Sequence, residues 1–347
     1  MNGFIAEIYS QPDVILETLQ AVQTQLHDLK PLLTQIAEGR FHKIVFTGMG
    51  SSCSAVYPSQ LRLLMHDMDV RVVEASELLH YQSRLVTSST LLVAISQSGR
   101  SAELMPLLDL AQDRHATVLG ITNTPDSILD QRSDFTLLMK AGAEATVSTK
   151  TYTCTVALLH LLTSAIIGTS LAADVDAITP VAEGIRQRLG GWQQQMASLA
   201  DQWGSSGFIE YLARGHSMAS ANTAALISKE SIKMPTESMN AGQFRHGPLE
   251  LVDEQFTGML FMGGNSTEQV NLRLAKDILD HGGQLTVISQ KAIPLTVALW
   301  VEIPTCSPEL LPLAEIVPVQ LFCAELSVRR GYEAGAFRYI SKVTVQE

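Results

Sequence analysis

The sequence predicts an α/β protein of two similar domains, each a parallel sheet flanked by helices on both faces. Three observations carry that expectation. The chain has 347 residues, comfortable for two domains of about 170. Short apolar runs alternate with amphipathic helical patterns, the signature of βαβ units. The alternation then recurs about 165 residues on, too long a period for a solenoid and right for a repeated domain.

In chain order, residues 12–38 form a helical lead-in within an N-terminal segment 1–38. KIVFTGMGSS at 43–52 is an apolar strand entering a Gly/Ser turn, and GFIEYLARGHS at 207–217 answers it. TLLVAISQSG at 90–99 is answered by QFTGMLFMGG at 255–264, and ATVLGITN at 116–123 by GQLTVISQ at 283–290. Amphipathic helices follow in register, SAELMPLLDLAQDR after SQSG and STEQVNLRLAKDILDHG after MGG. The stretch TVALLHLLTSAIIGTSLAA at 155–173 is long enough to span a membrane. It holds His160 and five Ser or Thr residues and no comparable segment follows, so a buried helix is expected. These limits give a first domain over 39–175, a helical connection over 176–200, a second domain over 201–330 and a C-terminal tail over 331–347.

Composition narrows the function. Hydrophobic residues make up 46% and charged residues 17%, enough to bury a core and too apolar for disorder. Lys plus Arg number 24 against 35 Asp plus Glu, a net charge of −11 with no basic run. That balance disfavours nucleic acid and anionic membranes as partners, and leaves room for a local anion site. Cys53, Cys154, Cys306 and Cys323 are scattered without a CxxC pair, which fits reduced thiols in the cytoplasm and neither a disulfide framework nor a zinc site. The acidic residues Glu7, Asp13 and Glu17 and the lack of a basic start leave no signal-peptide pattern in residues 1–20.

Ligands of open parallel sheets bind beyond the carboxyl ends of the strands. Two turns there are chemically pointed: Gly48-Met49-Gly50-Ser51-Ser52 and Ser96-Gln97-Ser98-Gly99-Arg100-Ser101. Glycines let backbone approach an anion, hydroxyls and amides donate to it, and the helix dipole attracts it. Taken singly, either turn is explained as well by simple helix capping. GMGSSCS is not GxGxxG, and no GxxxxGK[ST] occurs, so a dinucleotide fingerprint and a P-loop are both excluded. The hydroxyl density suits a compact phosphomonoester. Val147-Ser148-Thr149-Lys150 adds donors, whereas Met262-Gly263-Gly264-Asn265 in the second repeat has lost them.

With these residues in order, the chain resembles the sugar isomerase (SIS) domain family, most of all the isomerase half of glucosamine-6-phosphate synthases. The likeness runs nearly end to end. It includes Glu7-Ile8-Tyr9-Ser10-Gln11-Pro12, Gly50-Ser51-Ser52, Ala75-Ser76-Glu77, Ser96-Gln97-Ser98-Gly99, Ser148-Thr149-Lys150, Lys229-Glu230 and Gly242 to Leu249. The resemblance implies a phosphate cradle of Ser52, Ser96, Gln97, Ser98 and Ser101, with Ser148 near the sugar hydroxyls. It implies Glu230 as the carboxylate that moves a proton between C1 and C2. It implies His246 as the ring-opening group reaching across a dimer, and Lys342 as the amine that forms a Schiff base, on a tail folded over the active site. Alone, each of these three has an ordinary reading, as a solvated helix Glu, a structural His and a surface Lys. Together they cover a carbonyl shift between C1 and C2, with no metal and no cofactor required.

Two departures shape the expected reaction. The chain begins Met1-Asn2-Gly3, where the synthase has a glutaminase domain. Ile227 stands where the synthase has a further active-site lysine three residues before the Glu. Arg100-Ser101 also replaces a Glu-Thr pair, adding a cation beside the phosphate turn. The expected protein is thus a cytoplasmic, glutamine-independent deaminase, aldose–ketose isomerase or both, acting on a 6-phosphorylated amino sugar or ketose. It would work as a homodimer or higher homo-oligomer with a shared site. A deglycase of phosphorylated sugar–amine adducts is the alternative within the same chemistry. A non-catalytic sugar-phosphate sensor is the alternative outside it.

Overall fold

The computed structural model describes residues 3–264, 266–339 and 341–342. Asn265 of the second Gly-rich turn, and Ile340 and 343–347 of the expected tail, lie outside the described residues. The chain opens with α1 (Gly3–Asp28) and α2 (Lys30–Ala37). The first sheet and its helices follow as β1 (Lys43–Gly48), α3 (Gly50–Ser54), α4 (Tyr57–Leu64), β2 (Val70–Glu74), α5 (Ala75–His80), β3 (Thr90–Ser96), α6 (Leu104–Asp113), β4 (Thr117–Thr122), α7 (Ile128–Arg132), β5 (Phe135–Leu138) and α8 (Lys150–Ile167). After α9 (Leu171–Gln202) come β6 (Ile209–Ala213), α10 (Met218–Ile232), β7 (Thr236–Asn240), α11 (Ala241–Phe244), β8 (Thr257–Phe261), α12 (Glu268–Asp280), β9 (Gln284–Ser289), β10 (Leu299–Glu302) and α13 (Leu311–Arg329).

Both sheets have five strands and every pairing is parallel. Their orders, β2-β1-β3-β4-β5 and β10-β9-β8-β6-β7, are one order read from opposite edges, with β6 in the place of β1, β8 of β3 and β9 of β4. The repeat in the sequence is therefore a repeat in the fold. The central strands are continuous apolar runs because helices cover both their faces. One packed cluster joins Val45, Leu92 and Val118 to Leu107 and Leu108 of α6, and its counterpart joins Leu212, Leu260 and Val287 to Leu274 and Ile278 of α12.

By contacts the chain divides into two units that are not sequential blocks. The first-sheet unit takes Asp13–Glu144, Lys150–Asp176 and the described residues from Tyr339 on. The second-sheet unit takes the residues up to Pro12, Ala145–Thr149 and Ala177–Arg338.

Three expectations about helices meet the structure here. The lead-in helix starts at Gly3 and not at residue 12, and it runs through Pro12. Proline has no N–H for the carbonyl four residues back. The Gln11 side chain supplies that donor instead, its Nε2 lying 3.1 Å from Ile8 O. The apolar stretch expected as a buried helix is α8, shifted to Lys150–Ile167 and ended by Gly168 at φ +77°. A comparable segment does follow, against expectation: among the described residues Lys150–Ile167 and Pro308–Arg329 are both long and apolar enough to cross a membrane, and 83% and 89% of those windows are buried inside the protein.

Candidate active site

In the first sheet, the chain leaves β1 toward β2 on one side and toward β3 on the other. That reversal is the topological switch point of an open parallel sheet, where ligands bind. The ends of β1 and β3 carry the two hydroxyl-rich turns and lie side by side, Gly48 opposite Ile95. A Cβ on Gly48 would sit 2.8 Å from Ile95 O and 3.3 Å from Ser52 Cβ, so only glycine lets the turns approach this closely. Ser52 follows in α3, partly exposed.

The SQSG turn is locally built. The Ser96 and Ser101 hydroxyls converge at 3.0 Å, Gly99 N donates to Ser96 Oγ at 3.2 Å, and Arg100 N donates to Ser98 Oγ at 3.2 Å. Gly99 takes φ +62°, and a side chain there would strike Ser127, the N-cap of α7. The Gln97 carbonyl accepts from Asn123 N at 3.1 Å, Thr124 Oγ1 at 3.2 Å and Thr122 Oγ1 at 3.3 Å. Asn123 extends the network: its Nδ2 donates to Gly142 O at 2.8 Å and its Oδ1 accepts from Ala141 N at 2.8 Å. The SQSG turn and the segment leading to Glu144 are thus tied together.

Glu144 is a carboxylate that the sequence did not single out. Its Oε1 accepts from Thr151 N at 2.9 Å, and its Oε2 accepts from Thr151 Oγ1 at 2.7 Å and from Lys342 Nζ at 2.6 Å. Burial alone would raise its pKa; the ammonium of Lys342 and the donors of Thr151 overcome that and hold it below the usual carboxylate value. Lys342 therefore pairs with a carboxylate whose segment is bonded through Asn123 to the SQSG turn. The only signal in the sequence was proximity, since Glu144 stands four residues before Ser148 in AGAEATVSTK.

The second-sheet unit carries Ser148, Glu230 and His246. Ser148 lies in the short segment Ala145–Thr149, which Glu7 holds by accepting from Ala145 N at 2.6 Å and from the Thr146 hydroxyl. The EIYSQP motif is thereby explained: Glu7 fixes that segment, Tyr9 OH donates to Gln193 at 2.6 Å and Gln11 Nε2 donates to Gln320 Oε1 at 2.7 Å. Glu230 is half-buried in the last turn of α10, which ends on Lys233 in the left-handed region at φ +59°. Lys233 Nζ donates to the Glu230 carbonyl and, at 2.6 Å, to Ala336 O, fastening the tail to the helix that bears Glu230. His246 is exposed in the turn after α11.

The counterpart turns of the second sheet differ in charge. Ser217, in the repeat position of Ser52, donates to Glu315 Oε1 at 2.8 Å, and Ser220 donates to Oε2 at 2.6 Å. Burial raises the Glu315 carboxyl to about 7, against the pull of those two hydroxyls. An internal acid thus engages the donors that a phosphate would need. A cleft of about 210 Å³ remains beside it, lined by Gly263, Gly264, Ser289, Lys291, Thr305 and Cys306.

Residues 40–165 match the model of the SIS domain family. Over that stretch, which holds most of the first-sheet unit, the chain carries a SIS domain. Over 359 residues it is 29% identical to the glutamine–fructose-6-phosphate aminotransferase (isomerizing) of Thermococcus kodakarensis, an alignment that covers 99% of this chain and 58% of that protein. The chain thus spans less than two thirds of the relative's length. Its fold matches the C-terminal domain of glucosamine-fructose-6-phosphate aminotransferase from Francisella tularensis with a TM-score of 0.85, 22% identity and coverage of 96% and 98% of the two chains. It matches the glucosamine-6-phosphate deaminase of Thermotoga maritima with a TM-score of 0.79, 18% identity and coverage of 98% and 99%.

Proposed function

We propose that the protein acts on a 6-phosphorylated amino sugar or ketose through an enolamine or enediol, as a deaminase, aldose–ketose isomerase or both. The observation that carries this reading is the cluster of converging hydroxyls and backbone donors at the switch point of the first sheet. Ser52, Ser96, Gln97, Ser98 and Ser101 would take the phosphate, and Ser148 the sugar hydroxyls. For a hexosamine 6-phosphate, His246 assists ring opening, and Glu230 carries the C2 proton to C1, leaving an imine at C2. Lys342 displaces ammonia from C2, and water then releases the ketose 6-phosphate and the free lysine. The net change is hexosamine phosphate plus water to ketose phosphate plus ammonia.

Deamination is favoured over amino transfer by Ile227, which is fully buried and supplies no proton-handling group beside Glu230. A fold shared with a glucosamine-6-phosphate deaminase is compatible with that choice. The exposed position of His246 fits a residue that serves a second copy of the chain, and we place the protein in the cytoplasm as a homodimer or larger homo-oligomer. The test is a panel of 6-phosphorylated hexoses, hexosamines and fructosamine-type adducts followed by NMR, with ammonia and free amine quantified. Ammonia from a hexosamine phosphate, or interconversion of aldose and ketose phosphates, supports the proposal. Amine released only from an adduct identifies a deglycase, and tight binding without turnover identifies a sensor.

A further inference from the structure

We infer that Glu144 is the positioning residue for Lys342, fixing its ammonium group on the rim of the phosphate turn. The inference rests on the reading of Lys342 as the Schiff-base amine. Glu144 has no exposed side-chain surface, and Lys342 is 22% exposed. A buried carboxylate with a cation at 2.6 Å and two donors from Thr151 has its orientation fixed on both oxygens. Thr151 stands in the first turn of α8, so the carboxylate is anchored to the longest helix of the first-sheet unit and not to a loop. Through Gly142, Ala141 and Asn123 the same segment is bonded to the Gln97 carbonyl of the SQSG turn. A phosphate held by that turn and an amine held by Glu144 would share one rigid frame, which is what proximity catalysis asks of its parts.

The charge balance of the covalent step agrees. A ketone and an alkylammonium give an iminium and water: the C–N bond forms, the carbonyl oxygen leaves as water, and one positive charge is present on each side. Glu144 therefore faces a cation before and after the step, and imine formation does not leave a buried carboxylate unpaired.

The test is borohydride trapping with a ketose 6-phosphate, the label on Lys342 being read by peptide mass spectrometry as a function of time. In Glu144→Gln, trapping should slow at least tenfold while the Kd for inorganic phosphate changes less than twofold. Turnover should fall in kcat with KM nearly unchanged. Thr151→Val keeps the carboxylate and loses one of its anchors, so its trapping rate should lie between the two, and it serves where the Gln variant does not fold. In a Lys342→Ala background, Glu144→Gln should cause no further loss of residual turnover, because a residue that acts only through the lysine has nothing left to position. Trapping at the wild-type rate in both single variants overturns the inference and leaves the assignment of Lys342 intact. No label on Lys342 in the wild type overturns that assignment, and the inference with it.

Discussion

Glu210, in the middle of β6, should make the stability of the protein fall as pH rises, and replacing it by Gln should remove the fall. The residue is fully buried, and both its carboxylate oxygens lack a hydrogen-bond partner among the described residues. Its neighbour in the parallel register is Glu237 of β7, so the charge is opposed from the side as well. Burial first and Glu237 second push its pKa from 4.5 to about 7. Between those two values the folded chain keeps a proton that the unfolded chain has released, so each rise in pH favours unfolding. The contribution is fully present below 4.5 and lost as pH passes through 7. A displacement of that size costs about 3 kcal/mol once the group is ionised, of which about 2.5 kcal/mol accrues between pH 5 and pH 8. Urea denaturation of the wild type and Glu210→Gln at both pH values isolates this one group, because every other titration is common to the two proteins. The stability gap should widen by about 2.5 kcal/mol in favour of the Gln variant at pH 8. A gap that stays constant across that range refutes the reasoning.

Three further outcomes bear on the site. Ser96→Ala with Ser98→Ala removes two hydroxyls from an anion cradle, each worth about 1.5–3 kcal/mol in a charge-assisted bond. Affinity for a 6-phosphosugar should drop at least tenfold by calorimetry while weak binding of the unphosphorylated sugar persists, and equal losses would remove the phosphate assignment. Glu230→Gln should bind substrate and yet fail to wash solvent deuterium into C1 or C2, whereas the wild type exchanges in D₂O; exchange at the wild-type rate points to another base. His246→Ala and Glu230→Gln, each inactive alone, should regain activity when mixed subunits form, since one of the two shared sites then has both intact groups. Mixtures that stay inactive despite exchange of subunits show that His246 serves its own chain.

The central strands were legible because they are uninterrupted apolar runs, and because each was confirmed by its partner about 165 residues away. The edge strands β2, β5, β7 and β10 were not. They have four or five residues and mixed exposure, so their sequences show neither a continuous run nor a clean alternation. The hydroxyl-rich turns were visible because their chemistry is concentrated in a few consecutive residues. The pairing of Glu144 with Lys342 was not, since 198 residues separate the two and neither has a distinctive neighbourhood. The start of α1 was misplaced because Pro12 normally ends a helix, and the compensating donor is an ordinary glutamine.

The scattered make-up of the first-sheet unit has a consequence for how the protein comes into being on the ribosome. Glu144 is synthesised 198 residues before Lys342, and the two hydroxyl-rich turns earlier still. At about 5–20 residues per second, the nascent chain holds Glu144 for roughly ten to forty seconds before the lysine exists. Throughout that interval the Glu144 carboxylate lacks the Lys342 ammonium, whose attraction offsets part of the cost of burying it. The growing chain can thus assemble the hydroxyl-rich turns before the Glu144–Lys342 pair can form. The electrostatic closure of a carboxylate made early waits on a residue far along the chain.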